Sequence, residues 1–517
     1  MSTPISRRTF AFGGAAFSIA GLAHRTALGA PPKDQPVTIR PDVGIATIRP
    51  ELHGHFAEHL GSCVYGGLWV GTESRIPNIN GYRKQAVEYL KELGIPVLRW
   101  PGGCFADDYH WRDGIGPASK RPKRVNLHWG SYTEDNSFGT HEFLGLCKLI
   151  GAEPYLAGNV GSGTPQELRD WVEYCNYPEG STLADERKAN GSAEPFRVRY
   201  WGVGNENWGC GGNMQPEEYA TEFRRFSTYI RAFGDTQPFL IACGPSGNDT
   251  NWSRKFFETM SARRRPSGFA MHSYSGSRNS TPTKFTVEAM REQLSSFARL
   301  EQAVVQQRAL MDGYDPDRKV GLLVDEWGVW DAMVPEEQRR YGRLWQQNTM
   351  RSAIAAALGL NLFHRQADKL VMCNIAQIVN VLHSLLLTEE DRCIRTPSYY
   401  AFGLLKPHQG KTAVRVETDD SSPLGVSISA SLLGKDMAVT AVNPKHDVAV
   451  RVNFVLAGST AASASARILQ NDDFNACNTF DAPDRIVPRD HPVAVDGSRI
   501  ALELPPLAIA TALIRLG

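Results

Sequence analysis

From about residue 51 to residue 401 one pattern repeats: a short apolar or β-branched run, then an amphipathic segment of helical period. This alternation constrains the fold most. A strand followed each time by a helix returns parallel to its predecessor, and the helices must cover the sheet. "IPVLRW" (95–100) follows "YRKQAVEYLKELG" (82–94), where Ala86, Val87, Leu90 and Leu93 share one helical face and Gly94 stands where a helix stops. Further strands are expected at 152–158, 197–206, 238–244, 268–274, 319–327 and 369–377. Helices are expected at 165–175, 216–233, 285–312 and 336–358, the second opened by Pro216 and two Glu. The fold class is α/β, and the number of strands suits a closed (β/α)8 TIM barrel. A doubly wound sheet is the alternative, but no G-x-G-x-x-G turn follows any strand.

The flanks read differently. "PVTIRPDVGIATIRP" (36–50) alternates and contains Pro. From about residue 402 the helical period stops, and "VSISASLLG", "MAVTAVNP" and "VAVRVNFVL" alternate between Gly, Pro, Asn and Asp turns. That is a C-terminal β-sandwich which the N-terminal strands can join. The expected division is 1–30 as a leader, 31–50 as strands of the sandwich, 51–401 as the barrel and 402–517 as the sandwich.

The leader "SRRTFAFGGAAFSIAGLAHRTALGA" places Arg7-Arg8 before an Ala- and Gly-rich run. It reads as a twin-arginine export signal with cleavage near Ala27 or Ala30, giving a periplasmic or extracellular protein. The run is too short to span a bilayer, so no membrane span is expected after signal removal. Lys+Arg 56 against Asp+Glu 55 leaves no basic excess, which argues against a nucleic-acid partner. Nine Cys are scattered without C-x-x-C spacing, so no zinc ribbon is expected and most read as core thiols. The "RRR" at 263–265 reads as a solvated face.

Two Glu residues end barrel strands: Glu206 in "WGVGNENWG", preceded by Asn205, and Glu326 in "LLVDEWGVW". In such a barrel the C-terminal strand ends line one cleft. Two carboxyls there can cleave a glycosidic bond with retention, one protonating the leaving oxygen and the other attacking the anomeric carbon from about 5 Å away. A third carboxyl is ambiguous. "HGHFAEHLG" (53–61) contains His55-x-x-Glu58-His59, the H-x-x-E-H spacing of one class of zinc peptidase. Leu52, Phe56, Leu60 and Val64 are spaced as on a helix, whereas Gly54 and Gly61 weaken one. The motif alone does not decide.

Taken in order, "FAEHLGSCVYGGLW", "LRWPGGCFADDYHWRDGIGP", "YWGVGNENWG", "MHSY", "VDEWGVW" and "IAQIVNVL" resemble glycoside hydrolase family 51, the α-L-arabinofuranosidases. The resemblance covers essentially the whole chain after the leader. It implies a retaining exo-hydrolase that releases terminal α-L-arabinofuranosyl groups from arabinan, arabinoxylan or their oligosaccharides, with no cofactor and no catalytic metal. It implies Glu206 as acid/base and Glu326 as nucleophile, with Asn205 at the 2-hydroxyl. Glu58, Tyr274 and Gln377 are implied as furanose contacts, and Arg99 and His272 as supports of the two carboxylates. Glu58 is then a hydroxyl acceptor. Cys104 stands where some relatives carry Asn; a thiol is a poorer hydrogen-bond partner, so the sugar contacts there are in question. Trp111 and Trp330 suit a sugar floor or the core. Relatives often form oligomers, so a homo-oligomer is possible, but no self-complementary patch is legible. The alternatives are an endo-glucanase or xylan-cleaving enzyme on the same scaffold, its cleft shaped by the loops at 106–135 and 176–196, and a non-catalytic carbohydrate-binding protein.

Overall fold

The computed structural model describes residues 32–260, 265–277 and 279–517. Eight strands form a closed parallel barrel: β1 Gly54–Phe56, β2 Val97–Trp100, β3 Glu153–Gly158, β4 Tyr200–Val203, β5 Phe239–Ser246, β6 Gly268–Ser275, β7 Gly321–Val329 and β8 Leu370–Ala376. Strand β8 pairs back onto β1 and closes the ring. Inside, one layer takes a side chain from each of β2 to β8: Val97, Tyr155, Tyr200, Ile241, Ala270, Leu323 and Met372. Strand β1 supplies Gly54. A Cβ there would lie 2.1 Å from Asn374 Oδ1 and 2.6 Å from Val97 Cγ1, so the crowded interior admits only glycine.

The helices follow from their capping and their apolar stripes. Lys84–Leu93 buries Ala86, Val87, Leu90 and Leu93 and stops at Gly94 with φ 74°. Pro165–Asn176 begins at Thr164, whose hydroxyl accepts from the Glu167 N–H. The helix expected over 336–358 is two helices, Pro335–Tyr341 and Met350–Arg365, separated after Gly342, which has φ 103°. The second is buried nearly all round because it lies between barrel and sandwich, which erases its amphipathic signature. Helices Thr140–Ile150, Thr182–Ala189, Thr250–Thr259 and Pro397–Leu405 add to the expected set.

The C-terminal strands form one ten-stranded sheet folded around an apolar core that includes Ile39, Val414, Ile428, Val439, Val452, Phe454, Leu502 and Ile514. The N-terminal strand Lys33–Thr47 completes it, antiparallel to Thr412–Thr418 and parallel to Val450–Leu456. The two bodies meet through buried polar side chains. His364 Nδ1 lies 3.1 Å from Ser429 Oγ, and His408 touches Ser431 Oγ and Thr440 Oγ1, each at 2.9 Å. Burial pushes His408 and its neighbour His53 down to about 3, so both stay neutral. Among the described residues no helix is long and apolar enough to cross a membrane.

Candidate active site

The C-terminal strand ends surround a pocket of about 410 Å³ lined by Glu58, Gly103, Cys104, Trp129, Glu206, Trp208, His272, Tyr274, Glu326, Trp330 and Gln377. A larger cleft of about 920 Å³ lies between barrel and sandwich, away from these strand ends.

Glu206 and Glu326 face each other. One oxygen of each and His272 Nδ1 all lie within 4.8 Å of one another. His272 Nδ1 is 2.9 Å from Glu206 Oε1 and 3.6 Å from Glu326 Oε2. Glu326 is otherwise held by Arg99 Nη1 at 2.8 Å on Oε1 and by the Tyr274 hydroxyl at 2.7 Å on Oε2. Burial alone would push the Glu326 carboxyl up. The charges on His272 and Arg99 and the hydrogen bonds from Tyr274 and Arg99 outweigh it and hold Glu326 below the usual carboxylate range. Burial likewise opposes a charge on His272, but the two carboxylates prevail and raise its pKa. Gly103 allows the close approach: a Cβ there would stand 2.9 Å from Glu326 Oε1.

Arg99 ties these groups together from β2. It sits over the Phe56 ring at 4.4 Å, approaches Asp325 Oδ2 at 3.5 Å and donates to Asn205 Oδ1. Among the described residues nothing pairs with Asn205 Nδ2 or Gln377 Oε1, although both are buried. Such orphaned polar atoms beside a pocket suit hydroxyl groups of a ligand.

Glu58 is 2% exposed. Its oxygens accept from Trp129 Nε1 at 2.8 Å, the Phe105 N–H at 3.2 Å and Gln377 Nε2 at 2.7 Å. Burial, and then the charge on Glu326, push it up to about 7. The two histidines of the H-x-x-E-H segment make contacts elsewhere. His55 packs on Phe402 with ring centroids 4.8 Å apart, and His59 Nδ1 pairs with Glu134 at 3.2 Å. Residues 54–56 are strand, not helix, so the two ligands of a helical zinc motif are not brought to one face.

Two features escaped the sequence reading. Asp107 accepts from the backbone N–H groups of Val160 at 2.6 Å, Gly161 at 2.8 Å and Asn205 at 2.7 Å, joining the turn after β2 to the ends of β3 and β4. It helps to fix Glu206, which sits at φ 42° in the left-handed region that a side chain normally avoids, at a cost of about 1–3 kcal/mol. No local motif marks an acceptor for three distant N–H groups. The second feature corrects an expectation. Cys104 is not a thiol: it forms a disulfide with Cys210, 106 residues later. The barrel brings the two loops together, and scattered spacing gave no sign of it. The other seven cysteines are buried and free. Of the two ambiguous tryptophans, Trp111 is core, stacked near Trp171 and donating to Glu167 O at 2.9 Å. Trp330 is 36% exposed at the mouth, edge-on to Tyr274. Arg265 pairs with Asp315 at 3.4 Å; Arg263 and Arg264 lie outside the described residues.

Residues 89–291 match the model described as the alpha-L-arabinofuranosidase 1 domain, and residues 325–508 match the alpha-L-arabinofuranosidase C-terminal domain. An intracellular exo-alpha-L-arabinofuranosidase of Bacteroides ovatus is 42% identical over 96% of this chain and 98% of its own length. The GH51 arabinofuranosidase of Xanthomonas axonopodis pv. citri superposes with a TM-score of 0.89 at 38% identity, over 93% of this chain and 100% of its own. The chain belongs to glycoside hydrolase family 51. The α-L-arabinofuranosidase of Thermotoga maritima, solved as an arabinose complex, gives a TM-score of 0.84 at 30% identity over 93% of this chain and 100% of its own. The family 51 chain is thus an α-L-arabinofuranosidase acting on a glycoside, and the endo-glucanase or xylan-cleaving alternative is not favoured.

The export reading is corrected by the same comparison. The Bacteroides ovatus relative, matched over almost the whole chain, is described as intracellular. That reading rested on two adjacent arginines and a run of small residues, a pattern that no packing or chemistry fixes. The residues concerned fall within 1–31, outside those described.

Proposed function

We propose that the enzyme releases terminal α-L-arabinofuranosyl groups from arabinan, arabinoxylan or derived oligosaccharides by double displacement, with Glu326 as nucleophile and Glu206 as acid/base. The observation that carries this is the approach of the two carboxylates to within 4.8 Å, the short separation of a retaining pair. Their surroundings divide the labour. Glu326, gripped by Arg99 and Tyr274, is kept ionised and ready to attack the anomeric carbon. As its ester forms, the bond to the leaving oxygen breaks and Glu206 supplies the proton. Glu206 then takes a proton from water, which attacks the same carbon and frees Glu326. Glu58 and Gln377 accept and donate to furanose hydroxyls, and the orphaned Asn205 amide donates to the 2-hydroxyl, where hydrogen bonds strengthen in the transition state. The small pocket, narrowed by Trp129 and Trp330, favours an exo-acting enzyme over a chain-spanning groove.

The test is azide rescue with an aryl α-L-arabinofuranoside. Glu326→Ala is expected to lose turnover by at least ~10⁴-fold and to recover with azide as an inverted product, whereas Glu206→Ala recovers as a retained product. Undiminished activity of Glu326→Ala, or the opposite stereochemical outcomes, overturns the assignment.

A further inference from the structure

The disulfide places two sulfurs against the carboxylate read above as the acid/base. Cys104 lines the pocket, and Cys210 Sγ lies 3.7 Å from Glu206 Oε2. A disulfide sulfur has no proton to donate, so this approach is a contact and not a hydrogen bond. Unlike the seven buried cysteines, both members of the pair are half-buried and open to reagents that enter the pocket. Their Cα atoms, 5.4 Å apart, are held by two different strand ends, so the side chains stay adjacent once the bond is cut. Both Sγ atoms and one Glu206 oxygen lie within 4.8 Å of one another. Around a tetrahedral zinc ion, thiolate and carboxylate ligands at ~2.0–2.3 Å from the metal stand ~3.3–3.8 Å apart, a gap that small side-chain rotations close.

We propose that reduction of Cys104–Cys210 converts this corner of the pocket into a binding site for a thiophilic divalent cation, with Cys104, Cys210 and Glu206 as ligands. A dithiol reductant supplies two electrons. The S–S bond breaks, Cys104 and Cys210 each take up a proton as thiols, and the reductant leaves as its cyclic disulfide. Zn2+ then displaces the two thiol protons to solvent and binds the thiolates, with Glu206 as an oxygen ligand. The loss of activity that follows rests on the reading of Glu206 as acid/base, because a metal-bound carboxylate cannot carry the proton. The metal site itself does not depend on that reading. A second group, Glu206, His272 and Glu326, offers ligands whether or not the disulfide is intact. It separates from the proposed site by having no sulfur.

The experiment uses the full-length enzyme. Free thiols are counted under native conditions before and after dithiol treatment, the reductant is removed anaerobically, and Co2+ is added as a spectroscopic probe. Two additional thiols and a thiolate-to-cobalt charge-transfer band are expected for the reduced enzyme only. The band should be absent from the oxidised enzyme and from the reduced Cys104→Ser/Cys210→Ser variant. Zn2+ is then expected to inhibit the reduced enzyme at concentrations ~10-fold or more below those that affect the oxidised enzyme. The double variant, scored against its own metal-free rate, should not gain this sensitivity. Failure to release two thiols from the folded enzyme, a band of equal strength in the double variant, or no band at all overturns the metal site. A band without inhibition leaves the metal site standing and overturns the link to Glu206.

Discussion

Glu58 is a carboxylate buried beside another carboxylate, and its replacement by glutamine separates stability from activity. Its pKa rises from the ordinary 4.5 to about 7, chiefly through burial and then through the charge on Glu326. The folded state therefore keeps a proton that the unfolded chain releases between these values. By linkage, stability falls as pH climbs through this window and is lowest above it. The gap is worth about 3 kcal/mol, and at 2% exposure solvent screening removes little of it. The Glu58→Gln side chain would carry no charge. Its amide nitrogen would face Gln377, whose Oε1 is free to accept after a flip of that amide. Melting curves of the two proteins should coincide near pH 5 and diverge by pH 8, the variant higher by about 3 °C at roughly 1 kcal/mol per degree for a chain of this size. On the proposed role of Glu58 at a furanose hydroxyl, the variant's kcat/KM on an aryl α-L-arabinofuranoside at pH 8, where the Glu58 carboxylate is ionised, should drop ~100-fold. A variant that melts no higher than wild type at pH 8, or a difference that does not grow with pH, refutes the argument.

Asp107→Asn turns an acceptor into a donor facing the N–H groups of Val160, Gly161 and Asn205. Steady-state kinetics should give a kcat ~10–100-fold lower, since Asn205 and the adjoining Glu206 lose the anchor that positions them; an unchanged kcat counts against that role. Tyr274→Phe removes a hydrogen bond that helps to keep Glu326 below the usual carboxylate range. Its pKa should therefore rise, and the acidic limb of the kcat/KM profile should move to higher pH; an unmoved limb counts against the role. Gly54→Ala inserts a methyl 2.1 Å from Asn374 Oδ1 and 2.6 Å from Val97 Cγ1. Denaturant unfolding should show a loss of about 3 kcal/mol or more, and wild-type stability would refute the claim that only glycine fits there.

Seven of the eight barrel strands were legible because each carries a run of apolar or β-branched residues between helical periods. The eighth, Gly54–Phe56, is too short to show a period, and helical apolar spacing through Val64 set against Gly54 and Gly61 left the segment undecided. Met350–Arg365 hid its ends because it is apolar on every side. Glu206 and Glu326 were readable as charges that follow apolar strands. Arg99, Asn205, His272, Tyr274 and Gln377 were reached only through resemblance, since nothing local distinguishes them from core or surface residues. Asp107 and the Cys104–Cys210 link could not be read at all. Each depends on the barrel bringing distant strand ends into register, which is a property of the closed ring and not of any segment.

The N-terminal strand carries a consequence for biosynthesis. Gln35 donates to Thr418, 383 residues away, and the same strand lies against Val450–Leu456. The strand Lys33–Thr47 thus has no partner until Thr412–Thr418 and Val450–Leu456 have been made. During translation it must wait as an unpaired edge while the barrel assembles behind it. This pairing is thus completed late, and an enzyme ending before Thr412 would leave Lys33–Thr47 without either neighbour.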